Sequence, residues 1–361
     1  MRQNARTQRR WATGIPLAFL IAVGACASGE QGGAATISRL TGAGATFPNP
    51  IYTRWFDEYH RATGLQINYQ SIGSGGGIRQ FAEGTVDFGG TDGPMTDDQI
   101  ASVDGNVLHI PSVIGAVVLT YNLPSLGDTR LTLDGQTIAE IFLGRIPRWN
   151  DRRIAALNPD VNLPDAEIVV AHRSDGSGTS FIFTDFLSKV SPDWQTEVGA
   201  GKSLQWPTGI GAKGNEGVTQ QVKQLEGSIG YVELIYALSN QLAYAAVLND
   251  GGETVVPSLT SASAAAAGVN WTADTDFRVS ITAASGSGAY PIASLTWLLI
   301  KQDNPDPAKG AAIKEFLTWM VSPAAQDIAS ELGYAPLPGP VVELVSDRIA
   351  GLKAQGQVIA G

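Results

Sequence analysis

The chain has 361 residues, 43% of them hydrophobic and 16% charged, with 42 glycines, 19 prolines and a single cysteine. That composition belongs to a globular protein with room for two domains, and it excludes a disordered or fibrous chain. The formal net charge is −10, and without the four arginines of the leader described next 20 basic and 34 acidic residues remain, net −14; nucleic acid is therefore not an expected partner, and any bound anion must be held by local dipoles and one or two cations against the global field.

Arg2, Arg6, Arg9 and Arg10 precede a short apolar run at 15–25. This is the layout of a secretory signal, assigned to residues 1–25. The next four positions to note, Val23-Gly24-Ala25-Cys26, are similar to a lipobox, in which the cysteine is lipidated and becomes the mature N-terminus. Ordinary cleavage after a small residue and an uncleaved span are the alternatives, and the run is short for a span. Cys26 has no partner for an intramolecular disulfide despite export, which favours the lipid role. Residues 26–39, glycine-rich at 29–35, read as a flexible tether.

Residues 40–48 read as a small-residue loop ending in a proline suited to a first helical turn. Ile51, Trp55 and Tyr59 predict a helix stopped near Gly64, and Leu65, Ile67 and Tyr69 alternate as a strand. Gly73-Ser74-Gly75-Gly76-Gly77 then turns into a helix marked by Ile78 and Phe81. Residues 86–90 run as a short strand into Thr91-Asp92-Gly93-Pro94. Residues 113–121 predict a long apolar strand, and a helix carries Ile138, Ile141 and Phe142 after an Asp134-Gly135 turn. Residues 209–217 read as another glycine-dense loop, 228–232 as a strand, and 236 onward as irregular or helical. The alanine run at 262–267 reads as a small surface helix. Residues 292–300 form a second long apolar strand; a helix follows to Pro323, and a last helix carries Val342, Val345, Ile349 and Leu352. Alternating strands and helices predict an α/β fold. Two crossings, near Gly115 and near Tyr290, predict one lobe built from both chain ends (40–115 and 291–361) and a second from the middle (116–290).

The stretch Val169-Val170-Ala171-His172-Arg173-Ser174-Asp175-Gly176-Ser177-Gly178-Thr179-Ser180 is the centre of this pattern. A β-branched run leads into a Gly-rich turn, and Phe183, Phe186, Leu187 and Val190 mark the helix behind it. Such a turn aims free N–H groups and a positive dipole end outward, as an anion site does. Arg173 adds a planar fork of donors, and Ser177 and Thr179 add hydroxyls. An ordinary helix N-cap is the competing reading for this stretch alone. Gly201-Lys202-Ser203 resembles the end of a P-loop, but Thr196 stands where a glycine is required. No nucleophile elbow is present. His60, His109 and His172 lack metal-ligand spacing and read as ordinary surface or core histidines. Small donor-rich loops, Arg173 and one conspicuous carboxylate, Asp92, suit binding an anion without transforming it, so neither enzyme activity, cofactor nor metal is expected.

Thr41-Gly42-Ala43-Gly44-Ala45-Thr46-Phe47-Pro48, Ile72-Gly73-Ser74-Gly75-Gly76-Gly77, Val86-Asp87-Phe88-Gly89-Gly90-Thr91-Asp92 and the Arg173 to Ser180 run together resemble the phosphate-binding proteins of phosphate ABC importers, the PstS family. Gly214-Asn215-Glu216-Gly217 and the stretch from Gly227 to Glu233 are similar to that family too, so the resemblance covers roughly residues 40–342. It implies a type II periplasmic binding protein fold, two α/β lobes joined by two crossover strands with the ligand cleft between them. It also implies a phosphate site made of Thr46, Phe47, Ser74 and Asp92 from one lobe and Arg173, Ser177, Gly178 and Thr179 from the other, with Asp175 holding the arginine. The implied setting is a monomer outside the cytoplasm, lipid-anchored through Cys26, serving a permease and ATPase complex. The residue types suit phosphate, which keeps a proton at neutral pH where sulfate keeps none: a buried carboxylate accepts the phosphate O–H and repels a bare oxyanion. A phosphate-binding surface lipoprotein for sensing or adhesion, and a binding protein for another oxyanion, are the competing readings.

Overall fold

The computed structural model describes residues 37–360, so Cys26, the signal and most of the tether lie outside the described residues. The first strand, Arg39–Gly44, starts where the tether was expected to end. A mixed nine-stranded sheet carries the fold. Its spatial order is Gln66–Ser71, Arg39–Gly44, Phe88–Thr91, Ala293–Lys301, Val107–Tyr121, Ser228–Glu233, Val169–Arg173 and Ile210–Ala212, with Ala243–Tyr244 paired to the end of the long strand. The three strands at one end are mutually parallel, as are the three at the other. Between them the two long strands run antiparallel to their neighbours.

The expected loop at 40–48 is a correction: its first half is the parallel strand Arg39–Gly44. Its glycines answer crowding rather than turning. A Cβ on Gly42 would overlap the Phe88 ring, and one on Gly44 would overlap the backbone of Gly90 in the next strand. The expected loop at 209–217 is corrected likewise, to the short strand Ile210–Ala212 and the helix Gly214–Gln224. The alanine helix, Leu259–Ala267, is not wholly a surface element; Ser261, Ala262, Ala265 and Ala266 are buried against the two long strands, where only short side chains fit. Pro323 ends nothing by itself. It opens a further helix, Pro323–Glu331, with Ser322 as N-cap accepting from the Ala325 N–H at 3.4 Å.

The long strand begins at Val107, six residues before the apolar run that predicted it, and passes through Pro111. Proline has no N–H for the ladder, and the register shifts there: Thr296 pairs with Val113 and Trp297 with Pro111, leaving Ser112 as a bulge. Val107 to Ala116 pair with Ala293–Lys301, and Val117 to Tyr121 pair with Ser228–Glu233. The chain therefore passes between the two halves of the sheet at 116–117, beside its return at 292–293. Around the sheet, Asn49–Thr63 buries Ile51, Tyr52, Trp55, Phe56 and Tyr59 and stops at Gly64, whose φ of 80° suits glycine. Burial of each large apolar side chain contributes about 1.5–3 kcal/mol. At the carboxyl ends of four parallel strands the chain turns into a helix: Asn49–Thr63, Ser74–Ala82, Gly178–Val190 and Gly214–Gln224. Those four N-terminal turns define the region described next.

Candidate functional site

The turn after Arg39–Gly44 is stripped of acceptors. The Thr46 carbonyl accepts from the Tyr236 hydroxyl at 2.6 Å and from the Asn49 N–H at 3.2 Å, and the Phe47 carbonyl accepts from the Tyr334 hydroxyl at 2.7 Å. Thr46 Oγ1 accepts twice from Asn215, from its N–H at 3.1 Å and its Nδ2 at 2.7 Å. The N–H groups of Thr46 and Phe47 find no acceptor among the described residues. Once its oxygen is engaged this way, the Thr46 hydroxyl has only its proton left to offer. The turn is thus a set of donors at the N-terminus of a helix.

The turn after Val169–Arg173 is built on the same plan. Arg173 is 3% exposed. Its Nε and Nη2 donate to the two oxygens of Asp175 at 2.7 and 2.6 Å, and its Nη1 donates to Thr179 Oγ1 at 3.3 Å. Burial works to raise the Asp175 carboxyl, but the bonds from Arg173 outweigh it and hold the group below its usual value. Ser177 is the N-cap of Gly178–Val190, its Oγ accepting from the Ser180 N–H at 2.9 Å. The cap reading is correct, and it leaves the Ser177 O–H free to donate. The N–H groups of Gly178 and Thr179, at the first two helical positions, have no acceptor among the described residues.

Asp92 directly follows the strand Phe88–Thr91 and is 1% exposed. It caps no helix, since Asp97–Ala101 is capped by Thr96. Its Oδ1 accepts from Thr296 Oγ1 at 2.8 Å and its Oδ2 lies 3.5 Å from Ser74 Oγ, while its own N–H donates to Ser74 Oγ at 3.2 Å. Burial pushes this carboxyl up to about 7, opposed by the Thr296 bond, the Arg173 charge, Ser74 and Lys202. It is the one carboxyl of the set whose ionisation is balanced near neutral pH.

The structure brings all eight expected residues, and Asp175, into one enclosed spot. Gly178 packs on Ser74 and on Asp92; Asn215 Nδ2 links Thr46 at 2.7 Å to Thr179 at 3.1 Å; the Gly75 N–H donates to the Gly176 carbonyl at 2.8 Å. Surface concavities lie elsewhere, one beside Tyr121, Arg130 and Tyr244. Another, lined by His172, Lys202 and Trp206, reaches the rim of the site at Arg173. The content of the spot is one cation, one acceptor carboxyl, several hydroxyls and unpaired N–H groups on helix N-termini. That arrangement grips a small oxyanion through charge-assisted bonds, each worth about 1.5–3 kcal/mol. The histidines stand apart: His109 Nε2 accepts from the Met95 N–H at 3.1 Å and burial holds its pKa down to about 4, while His172 stacks on Trp206 with ring centres 4.9 Å apart. Among the described residues no cluster of His, Cys, Asp or Glu is able to hold a metal ion.

Three contributors escaped sequence reasoning. Asn215 lies in a glycine-flanked tetrapeptide already singled out, but nothing local assigns it a role. Tyr236 follows the strand Ser228–Glu233 by three residues. Thr296 is a polar residue inside an apolar strand, Ala293–Lys301, and that interruption is its one visible signal.

A PBP superfamily domain matches residues 29–324. A protein of Xylella fastidiosa named phosphate-binding protein PstS is 45% identical over 307 residues, covering 85% of this chain and 84% of that one. One of the same name from Haemophilus influenzae is 45% identical over 316 residues, covering 87% and 93%. Among solved structures, a high-affinity periplasmic phosphate-binding protein, PfluDING, bound with phosphate, superposes with a TM-score of 0.68 at 20% identity, covering 87% of this chain and 99% of that one.

Proposed function

The chain belongs to the phosphate-binding protein PstS family within the PBP superfamily, and on that premise we propose that it captures inorganic phosphate between two lobes and delivers it to an ABC importer. One observation carries the reading beyond the family: a buried carboxyl, Asp92, faces a cage otherwise made of donors and Arg173. A cage of donors alone takes phosphate and sulfate alike; adding an acceptor favours the anion that still carries a proton.

In this reading Thr46, Phe47, Ser74, Asp92, Arg173, Ser177, Gly178 and Thr179 contact phosphate, and Asp175 fixes the fork of Arg173. The lobes are 40–115 with 291–361, and 116–290. The protein acts as a monomer without catalysis. Its ligand is handed to a permease and ATPase complex at the outer face of a membrane, where Cys26 carries the lipid anchor. Calorimetric titration with phosphate, sulfate and molybdate tests the ligand. Tight phosphate binding with sulfate and molybdate excluded is the expected result, and equal binding of sulfate sinks the reading. Mass spectrometry of the mature N-terminus tests the anchor; an unmodified terminus other than Cys26 removes it.

A further inference from the structure

Lys202 stands outside the residues so far assigned, yet it bonds both to the Ser177 turn and to the loop that follows Asp92. Its carbonyl accepts the Ser177 N–H at 2.8 Å, bracing the turn of Gly178 and Thr179. Its side chain runs the other way, past the ring of Phe181 at 5.5 Å, and Nζ donates to the Pro94 carbonyl at 2.6 Å. Pro94 is two residues beyond Asp92. That loop is braced further on: the Met95 N–H donates to His109 Nε2 at 3.1 Å and the Met95 carbonyl accepts from Arg278 Nη1 at 3.2 Å. A bond to Pro94 therefore acts on the whole Asp92 turn and not on a loose end.

Among the described residues no carboxylate pairs with the Lys202 ammonium within salt-bridge distance. Its charge is left to act on its surroundings, and Asp92 feels it. Burial lowers the Lys202 pKa to about 8, with the Asp92 charge opposing. An ammonium-to-carbonyl bond across a cleft exists only when the cleft is shut, so it favours the shut state differentially.

We propose that Lys202 is the latch of the closed cleft, a positioning residue that ties the Ser177 turn to the Asp92 turn and lends the phosphate site a second positive charge. The ligand in this statement rests on the phosphate reading above; the latch itself does not. Closure retains ligand by slowing its escape, and the affinity difference belongs in the dissociation rate.

The test uses the full chain with Lys202→Met and Lys202→Arg. Stopped-flow phosphate release is expected to quicken about tenfold in Lys202→Met with association changed less than about twofold, and to return most of the way in Lys202→Arg. Hydrogen exchange at Gly75, whose N–H crosses the same cleft, is read without phosphate and is expected to quicken in Lys202→Met alone. The ligand-free melting temperatures of all three proteins should agree. Unchanged release and unchanged Gly75 exchange in Lys202→Met overturn the latch. So does equal damage in both variants with a lowered ligand-free melting temperature, which is a purely structural role. Gly75 exchange that responds to Lys202→Met in a protein that ignores phosphate upholds the latch and overturns the phosphate reading.

Discussion

Asp92 is an acid that the fold keeps near its midpoint. Its pKa sits at about 7 in the closed site because burial disfavours the charge more than Thr296, Arg173 and Ser74 restore it. Two predictions follow from that balance. Asp92→Asn keeps the shape but can donate as well as accept, so phosphate should still bind while sulfate competes at least about tenfold better than in the wild type. Competition for labelled phosphate measures it; sulfate excluded equally by both proteins would falsify the role given to Asp92. The second concerns stability without ligand. The folded pKa lies above the ordinary carboxyl value, so between about pH 4 and pH 7 the folded state holds the extra proton and stability falls as pH rises. Urea unfolding at pH 5 and pH 7.5 should show a loss in the wild type that exceeds the loss in Asp92→Asn by a few kcal/mol, since each tenfold change in proton affinity corresponds to about 1.4 kcal/mol. Arg173 and Asp175 divide their duties differently. Arg173→Ala removes a buried donor from the anion and should cost about 2–5 kcal/mol of binding. Asp175→Asn removes an orienting partner that also accepts the Gly214 N–H at 3.0 Å, and should cost less. The opposite ranking in calorimetry shows these roles to be reversed.

Helix N-termini are the elements that make the site. Asn49–Thr63, Ser74–Ala82 and Gly178–Val190 each start at it, and each presents N–H groups that the helix itself cannot satisfy. Gly178 shows how closely two of these starts approach: an added Cβ would overlap Ser74 Oγ and stand 2.6 Å from Asp92 Oδ2. Gly178→Ala should therefore abolish measurable phosphate binding, since the two turns cannot meet, while the melting temperature of the ligand-free protein stays within a few degrees of the wild type. Phosphate binding within threefold of the wild type by the alanine variant contradicts this packing. The turns at 73–77 and 175–179 were legible because glycine and hydroxyl residues between a β-branched run and a helical period have few other uses. The strand Arg39–Gly44 was not, because its small residues serve neighbours distant in sequence, Phe88 and Gly90.

Closure belongs to the whole molecule. Asn215 joins three parts of it: it donates to Thr46 and Thr179 and accepts the Glu233 N–H at 3.0 Å through Oδ1. Asn215→Ala loses these bonds together, at about 1 kcal/mol each. Phosphate affinity should fall roughly tenfold to a hundredfold, and small-angle scattering should find the phosphate-saturated variant more open than the wild type. A variant as closed and as tight as the wild type would place the control of closure elsewhere. Glu233 lies nearby, fully buried, with burial raising its carboxyl well above the usual value. It packs where the chain passes between the halves of the sheet, pairing across to Val117.

By itself the sequence determined the alternation of strands and helices and the two long apolar strands of the sheet, and it offered the donor and acceptor types proposed for the site. Those follow from periodicity, from glycine placement and from what a side chain can donate or accept, all local properties. The tertiary structure decided the partners. Thr296 reaches Asp92 from 204 positions away and Asn215 reaches Thr46 from 169. It also decided that Pro111 lies within the long strand, because a bulge opposite Trp297 accommodates a residue with no N–H. The pKa of Asp92 was settled at the same level, because desolvation depends on what surrounds a group, and residues adjacent in sequence supply little of that enclosure.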